Sequence, residues 1–178
     1  MLIPNDKVPE LDLPLTIDAR FNLSHQTPDF MTMLVFYRGK HCPICKSYLE
    51  QVASKLEDFT SRGVSIFAIS MDSEDRAMVV DREWKTGDLP LAYDLSAEQA
   101  REWGLYLSEK REGSEEPDLF SEPGLFLIRP DGTLYFAQMQ SAPFTRPPLD
   151  ELLKGIDMVK DKDYPARGTA TGKSKASA

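Results

Sequence analysis

Two short apolar runs on either side of one amphipathic stretch leave this chain few folds to choose from. Met33-Leu34-Val35-Phe36-Tyr37 is continuously apolar, the pattern of a strand covered on both faces. Leu49, Val52, Ala53, Leu56 and Phe59 then recur at spacings of three and four, which predicts a helix with one apolar side, closed by Gly63 as its C-cap. Val64–Ser70 (VSIFAIS) reads as a second buried strand. Strand, helix and strand in succession cross over right-handed, so the two strands pair in parallel.

The remaining segments arrange themselves around that unit. Short alternating stretches near Ile17, Phe21 and Leu23 predict an N-terminal β-hairpin within Leu11–Leu23. Ser73 is expected to cap a helix running to about Lys85, followed by a short strand at Leu91–Asp94 and a short helix at Ala97–Trp103. Gly124–Ile128 and Thr133–Ala137 are expected strands joined through Arg129-Pro130-Asp131-Gly132, where proline presets φ and glycine accepts a positive one. Leu149–Val159 closes the series as a helix. The fold class is therefore α/β, a central mixed β-sheet with helices on both faces. Ser108–Asp118 (SEKREGSEEPD) reads as an exposed loop. Residues 1–165 form one expected domain, and 166–178, being small and polar with almost nothing to bury, an expected disordered tail.

Composition narrows the partners. The formal net charge is -8, and such a surface repels phosphate backbones, which argues against nucleic acid and anionic membrane. No segment approaches the roughly 18–20 apolar residues that span a bilayer, and the N-terminus carries no signal-peptide pattern, so a cytoplasmic location is expected. Thiols stay reduced there, and a Cys-x-x-Cys pair is more readily redox-active or metal-binding than a structural staple.

That pair is Cys42-Pro43-Ile44-Cys45, at the carboxyl end of a buried strand and the start of a helix, where open α/β sheets place their sites. Pro43 suits the first helical position, making Cys42 the N-cap and placing Cys45 in the first turn. Both sulfurs then face unpaired N–H groups and the positive end of the helix dipole, with Arg38, Lys40, His41 and Lys46 adding positive charge. Such settings lower a cysteine pKa from about 8.5 to roughly 3.5–7.5. Zinc is a poor alternative, because only His25 and His41 accompany the two cysteines and His41 is badly spaced for chelation. Inert core cysteines are the other alternative. Trp84 and Trp103 read as packing residues, and Glu122 as a surface carboxylate or a contact to a bound partner's backbone.

The run Phe36-Tyr37-Arg38-Gly39-Lys40-His41-Cys42-Pro43-Ile44-Cys45 resembles the active-site segment of the AhpC/TSA family, the peroxiredoxins and peroxiredoxin-like proteins of the thioredoxin superfamily. Ala68-Ile69-Ser70-Met71-Asp72 and the stretch from Pro123 to Gly132 extend the likeness, in fitting order, over residues 8–160. The resemblance implies a thioredoxin-like fold, thiol chemistry with no cofactor, and a peroxide or disulfide substrate. It also implies a thiol reductant such as thioredoxin or glutathione, and it allows a homodimer. Typical members carry Pro-x-x-x-Thr/Ser-x-x-Cys and a distant arginine. With Cys45 at the peroxidatic position, Cys42 replaces the hydroxyl residue, Arg38 replaces the proline, and the usual arginine falls near Pro123. Against thioredoxins and glutaredoxins, Cys42 matches the nucleophile, Cys45 the resolving cysteine, and Pro123 the position of a cis-proline.

Two enzymatic mechanisms follow from the resemblance. In a peroxidase, the Cys45 thiolate attacks a hydroperoxide and Cys42 resolves the sulfenic acid. In a disulfide reductase, the Cys42 thiolate attacks a substrate disulfide and Cys45 resolves the mixed disulfide. A third reading keeps the fold as a redox sensor or binding module, with Ser108–Asp118 as a partner surface.

Overall fold

The computed structural model describes residues 2–171. The predicted crossover is its centre. Strand β3 (Met31–Phe36), after the hairpin strands β1 (Asp12–Pro14) and β2 (Arg20–Asn22), runs parallel to β4 (Val64–Ile69) with Met31 opposite Val64. Between them the helical stretch is interrupted, with α1 at Pro43–Ser54 and α2 at Leu56–Thr60, and Lys55 at the break has left the helical ψ range. Gly63 has the left-handed φ (+80°) expected of a C-cap, and a Cβ there would lie 2.9 Å from that of Asp29.

After β4 come α3 (Glu74–Glu83), β5 (Leu91–Ala92), α4 (Ala97–Glu102), β6 (Leu107–Glu109), β7 (Leu119–Ser121), β8 (Gly124–Ile128), β9 (Leu134–Met139) and α5 (Leu149–Lys162). The central sheet has the order β5-β4-β3-β8-β9. β3 and β5 flank β4 in parallel, whereas β8 is antiparallel to both β3 and β9. The sheet is mixed, as expected, and every residue of β3 is buried.

Alternation along β3 divides the core in two. Met33, Val35 and Tyr37 face a cluster with Leu49, Val52 and Phe59 of the crossover helices and Leu153 and Ile156 of α5. Leu34 and Phe36 face the other, with Leu13 and Phe21 of the hairpin and Ala100 and Trp103 at α4. The N-terminal hairpin thus covers a face of the sheet that α4 is too short to cover alone.

One segment departs from its sequence reading. Ser108–Asp118 was expected to be an exposed loop, but its start belongs to β6, which pairs antiparallel with β7, and Glu116 within it is buried. At the other end of the chain, Ala166 is buried and the Tyr164 carbonyl accepts a hydrogen bond from the Tyr135 hydroxyl. Of the rest of the expected tail, 167–171 are exposed and 172–178 lie outside the described residues.

Trp103 is fully buried between Phe36 and Phe126, with ring centroids 5.5 and 5.0 Å away. Removing so large a side chain leaves a cavity the two rings cannot fill. Trp103→Ala is expected to lower stability by about 3–5 kcal/mol. Chemical denaturation checks this, and a cost under about 1 kcal/mol would mean that this face of the sheet is loosely packed.

Candidate active site

The dithiol sits where β3 hands over to α1, and a buried carboxylate holds the connection. The backbone N–H of Lys40 donates to Asp72 at 2.6 Å, and Arg76 Nε donates to the same carboxylate at 2.7 Å. Gly39 passes so close that a Cβ on it would lie 2.6 Å from Asp72 Oδ1, and its φ is +118°. Only glycine fits both conditions. Pinned there, the loop closes with Cys42 N–H donating to the Gly39 carbonyl, and α1 starts one residue later.

Cys42 is the N-cap of α1, Pro43 occupies the first helical position, and Cys45 lies one turn in. The Cys42 sulfur accepts the Cys45 backbone N–H at 3.3 Å. Both residues are buried, and both thiols are free. Their electrostatics diverge sharply. The Cys45 thiol donates to the Cys42 sulfur, and this, helped by the Cys45 N–H and the Arg38 guanidinium, holds the Cys42 pKa well below the ordinary thiol range despite its burial. Burial raises Cys45 far above that range, and the adjacent Cys42 sulfur raises it further. The arrangement favours ionisation at Cys42 and protonation at Cys45. That order is the reverse of the one in which Cys45 attacks a peroxide.

Arg38 is held from three directions. Its Nη2 is 3.2 Å from Glu116 Oε1, its Nε is 3.2 Å from Glu122 Oε2, and its guanidinium lies 4.6 Å from the centre of the Phe120 ring. Both carboxylates are nearly inaccessible, so Glu122 is not the surface group expected from sequence. Glu116 also accepts from Arg111 and Ser114, and the Arg111 contact is the main reason its pKa falls to about 2. Glu122 accepts from the Ser108 hydroxyl at 2.7 Å. The β6–β7 hairpin is therefore tied to the site through Arg38.

His41 does not supply the positive charge expected of it. Burial, followed by the repulsion of Arg38, pushes its pKa down to about 4, so the ring is neutral at physiological pH. It is half-buried, edge-on to Phe120 at 4.7 Å, with Nδ1 3.5 Å from Arg76 Nη2. Pro123 is also placed differently from its thioredoxin counterpart: among the described residues no peptide bond is cis. Glu122 N–H donates to the Tyr106 carbonyl and Gln140 N–H to the Pro123 carbonyl. Pro123 lines a small cavity together with Tyr48, Gly124 and Arg146.

Sequence reasoning missed Arg146 altogether. It lies in the proline-rich connection between β9 and α5, and its Nη2 is 3.0 Å from the Cys45 sulfur. Among the described residues, no group of His, Cys, Asp and Glu side chains comes together to hold a metal ion, and no helix is long and apolar enough to cross a membrane.

The model of the AhpC/TSA family matches residues 4–137. A 1-Cys peroxiredoxin of Medicago truncatula is 24% identical over 159 residues, 87% of this chain and 72% of that protein. The reduced 2-Cys peroxiredoxin of Plasmodium vivax superposes with a TM-score of 0.76 at 16% identity, over 92% of this chain and 84% of that one. A yeast mitochondrial 1-Cys peroxiredoxin, whose thiol resolves via glutathione/thioredoxin systems, superposes with a TM-score of 0.71 at 17% identity, over 92% and 78%.

The unequal sulfurs can be read out directly. In the reduced protein, ultraviolet thiolate absorbance should titrate in one step below the ordinary thiol value of about 8.5. Cys45→Ala removes the thiol donor and should move that step upward. Cys42→Ala should abolish it and leave only ionisation above the ordinary range. A low step surviving in Cys42→Ala would reverse the assignment.

Proposed function

The chain belongs to the AhpC/TSA family, and from that premise we propose that it is a thiol peroxidase in which Cys42 is the attacking thiolate and Cys45 the resolving thiol. The carrying observation is the Cys42 sulfur at the mouth of α1, accepting the Cys45 N–H at 3.3 Å and stabilised as thiolate by the Cys45 thiol and Arg38. The thiolate attacks the distal oxygen of a hydroperoxide. An S–O bond forms, the O–O bond breaks, and the departing alkoxide or hydroxide takes a proton from solvent. Cys45 then attacks the Cys42 sulfenic sulfur. An S–S bond forms, the S–O bond breaks, and the oxygen leaves as water with the Cys45 proton.

Two cysteines in one helical turn close without a distant partner, which suits resolution within the chain. An external thiol reductant, thioredoxin or glutathione, completes the cycle by thiol–disulfide exchange. A reducing, cytoplasmic setting fits that requirement. The redoxin unit over 1–165 is the part to which the activity is assigned. Family membership does not favour a dedicated disulfide reductase, nor a sensor without turnover.

Reduced wild type, Cys42→Ser and Cys45→Ser treated with stoichiometric hydrogen peroxide test this by peroxide consumption and intact mass. Wild type should consume peroxide and end as an intramolecular disulfide. Cys45→Ser should gain one oxygen at Cys42 at a comparable initial rate, and Cys42→Ser should be close to inert. Rapid oxygen addition to Cys45 in Cys42→Ser would exchange the roles, and slow consumption by all three would remove the peroxidase reading.

A further inference from the structure

Among the described residues, the connection between β9 and α5, residues 140–148, brings a cation onto the sulfur the proposed chemistry must activate second. It begins with Gln140 N–H on the Pro123 carbonyl, and the Gln140 side chain reaches back to the Thr145 carbonyl. It ends with the Tyr48 hydroxyl donating to the Pro147 carbonyl at 2.9 Å. Between these anchors Thr145 has a φ of +54°, an unfavourable left-handed conformation for a β-branched residue. The following residue, Arg146, turns inward. Its Nη1 donates to the Pro143 carbonyl at 2.6 Å and its guanidinium lies 5.5 Å from the centre of the Tyr48 ring, leaving Nη2 on the Cys45 sulfur at 3.0 Å.

We propose that Arg146 is a catalytic residue of the resolving step, the counter-ion against which the Cys45 sulfur ionises to close the disulfide. The inference rests on the two-thiol reading above and adds to it a division of labour between two arginines, Arg38 serving Cys42 and Arg146 serving Cys45. The groups around the Cys45 sulfur are Cys42 at the N-cap, Tyr37 and Arg38 at the end of β3, and Arg146 on the connection, with Tyr48 of α1 against the Arg146 guanidinium. While Cys42 is a thiolate, its charge keeps Cys45 protonated, so Arg146 cannot draw the second proton off early. Once Cys42 is oxidised or in a mixed disulfide that charge is gone, and Arg146 remains as the cation in direct contact with the Cys45 sulfur. The resolving thiol is thus activated only after the first step has happened.

An opposite charge at contact lowers a pKa by about 1–3 units, which multiplies the thiolate fraction by about 10 to 1,000. Thiolate reactivity falls with its pKa at a Brønsted slope of about 0.4–0.5, returning roughly half of that gain. The net advantage of Arg146 to closure at neutral pH is therefore about 3- to 60-fold.

A chromogenic aryl disulfide isolates the step without any peroxide. Attack by Cys42 releases one aryl thiolate and forms a mixed disulfide, and closure by Cys45 releases the second as the S–S bond shifts from aryl to Cys45. Stopped-flow traces of wild type should be biphasic. Arg146→Met should keep the first phase and slow the second about 3- to 60-fold at neutral pH, the deficit shrinking as pH rises and the thiol ionises unaided. Arg146→Lys should recover part of the loss, which a merely folded-state role for the guanidinium would not give. An unchanged second phase in Arg146→Met, a slowing that does not vary with pH, or equal slowing of both phases would overturn the assignment. Arg146-dependent closure in a protein that consumes no peroxide would instead sink the peroxidase reading while leaving this one standing.

Discussion

The guanidinium of Arg38 is the point at which fold and chemistry meet. It comes from the end of the central strand, faces the Cys42 sulfur, and is paired with two carboxylates from the β6–β7 side of the molecule. Glu116 and Glu122 pair with it at 3.2 Å each, and the lowered Cys42 pKa owes most to the hydrogen bonds from Cys45, with Arg38 a smaller cause. Buried ion pairs of this kind seldom add much stability, since desolvation offsets most of the attraction. What they do well is fix position: losing one member leaves an uncompensated charge, so the hairpin, the arginine and the sulfur hold one arrangement.

The parts of this arrangement legible in the sequence are those carried by neighbours in the chain. A strand buried on both faces writes itself as an unbroken apolar run, and a dithiol with proline between its cysteines writes a helix start. Glu116 shows the opposite case. It stands beside Glu115 in a run of charged residues, and only its meeting with Arg38, 78 positions earlier, makes it buried while its neighbour is exposed. Arg146 reaches Cys45 across 101 positions from a segment with neither helical nor strand periodicity. His41 was misjudged for a related reason. Charge at a histidine depends on burial and on the arginines beside it, and a linear reading counts cations without placing them.

The departure from the usual family pattern acquires a physical sense once Cys42 is taken as nucleophile. Family members place a hydroxyl three residues before the reactive cysteine. This chain places a thiol and its N–H three residues after it, so the donor is kept and its position is moved by one helical turn. The nucleophile moves back to the N-cap, where the helix leaves the most backbone donors unpaired. Arg38 stands where the family pattern has proline, and this chain has a proline at Pro43, where a missing N–H costs nothing.

Burial of both sulfurs then decides where the cycle meets resistance. Cys42 is 1% exposed and Cys45 is fully covered, so a bulky oxidant has no direct line to either. Closure itself asks little of the backbone, because residues one turn apart at a helix start already lie within the range a disulfide spans. The resistance falls on access and on ionisation of the second thiol, and both concern the same edge of the site. Pro123 and the 140–148 connection cover it, with Tyr48 and Pro147 fastening that cover to α1. Under the roles proposed for Cys42 and Cys45, closure needs no unwinding of α1, and the opening that admits an oxidant falls to the proline-rich cover.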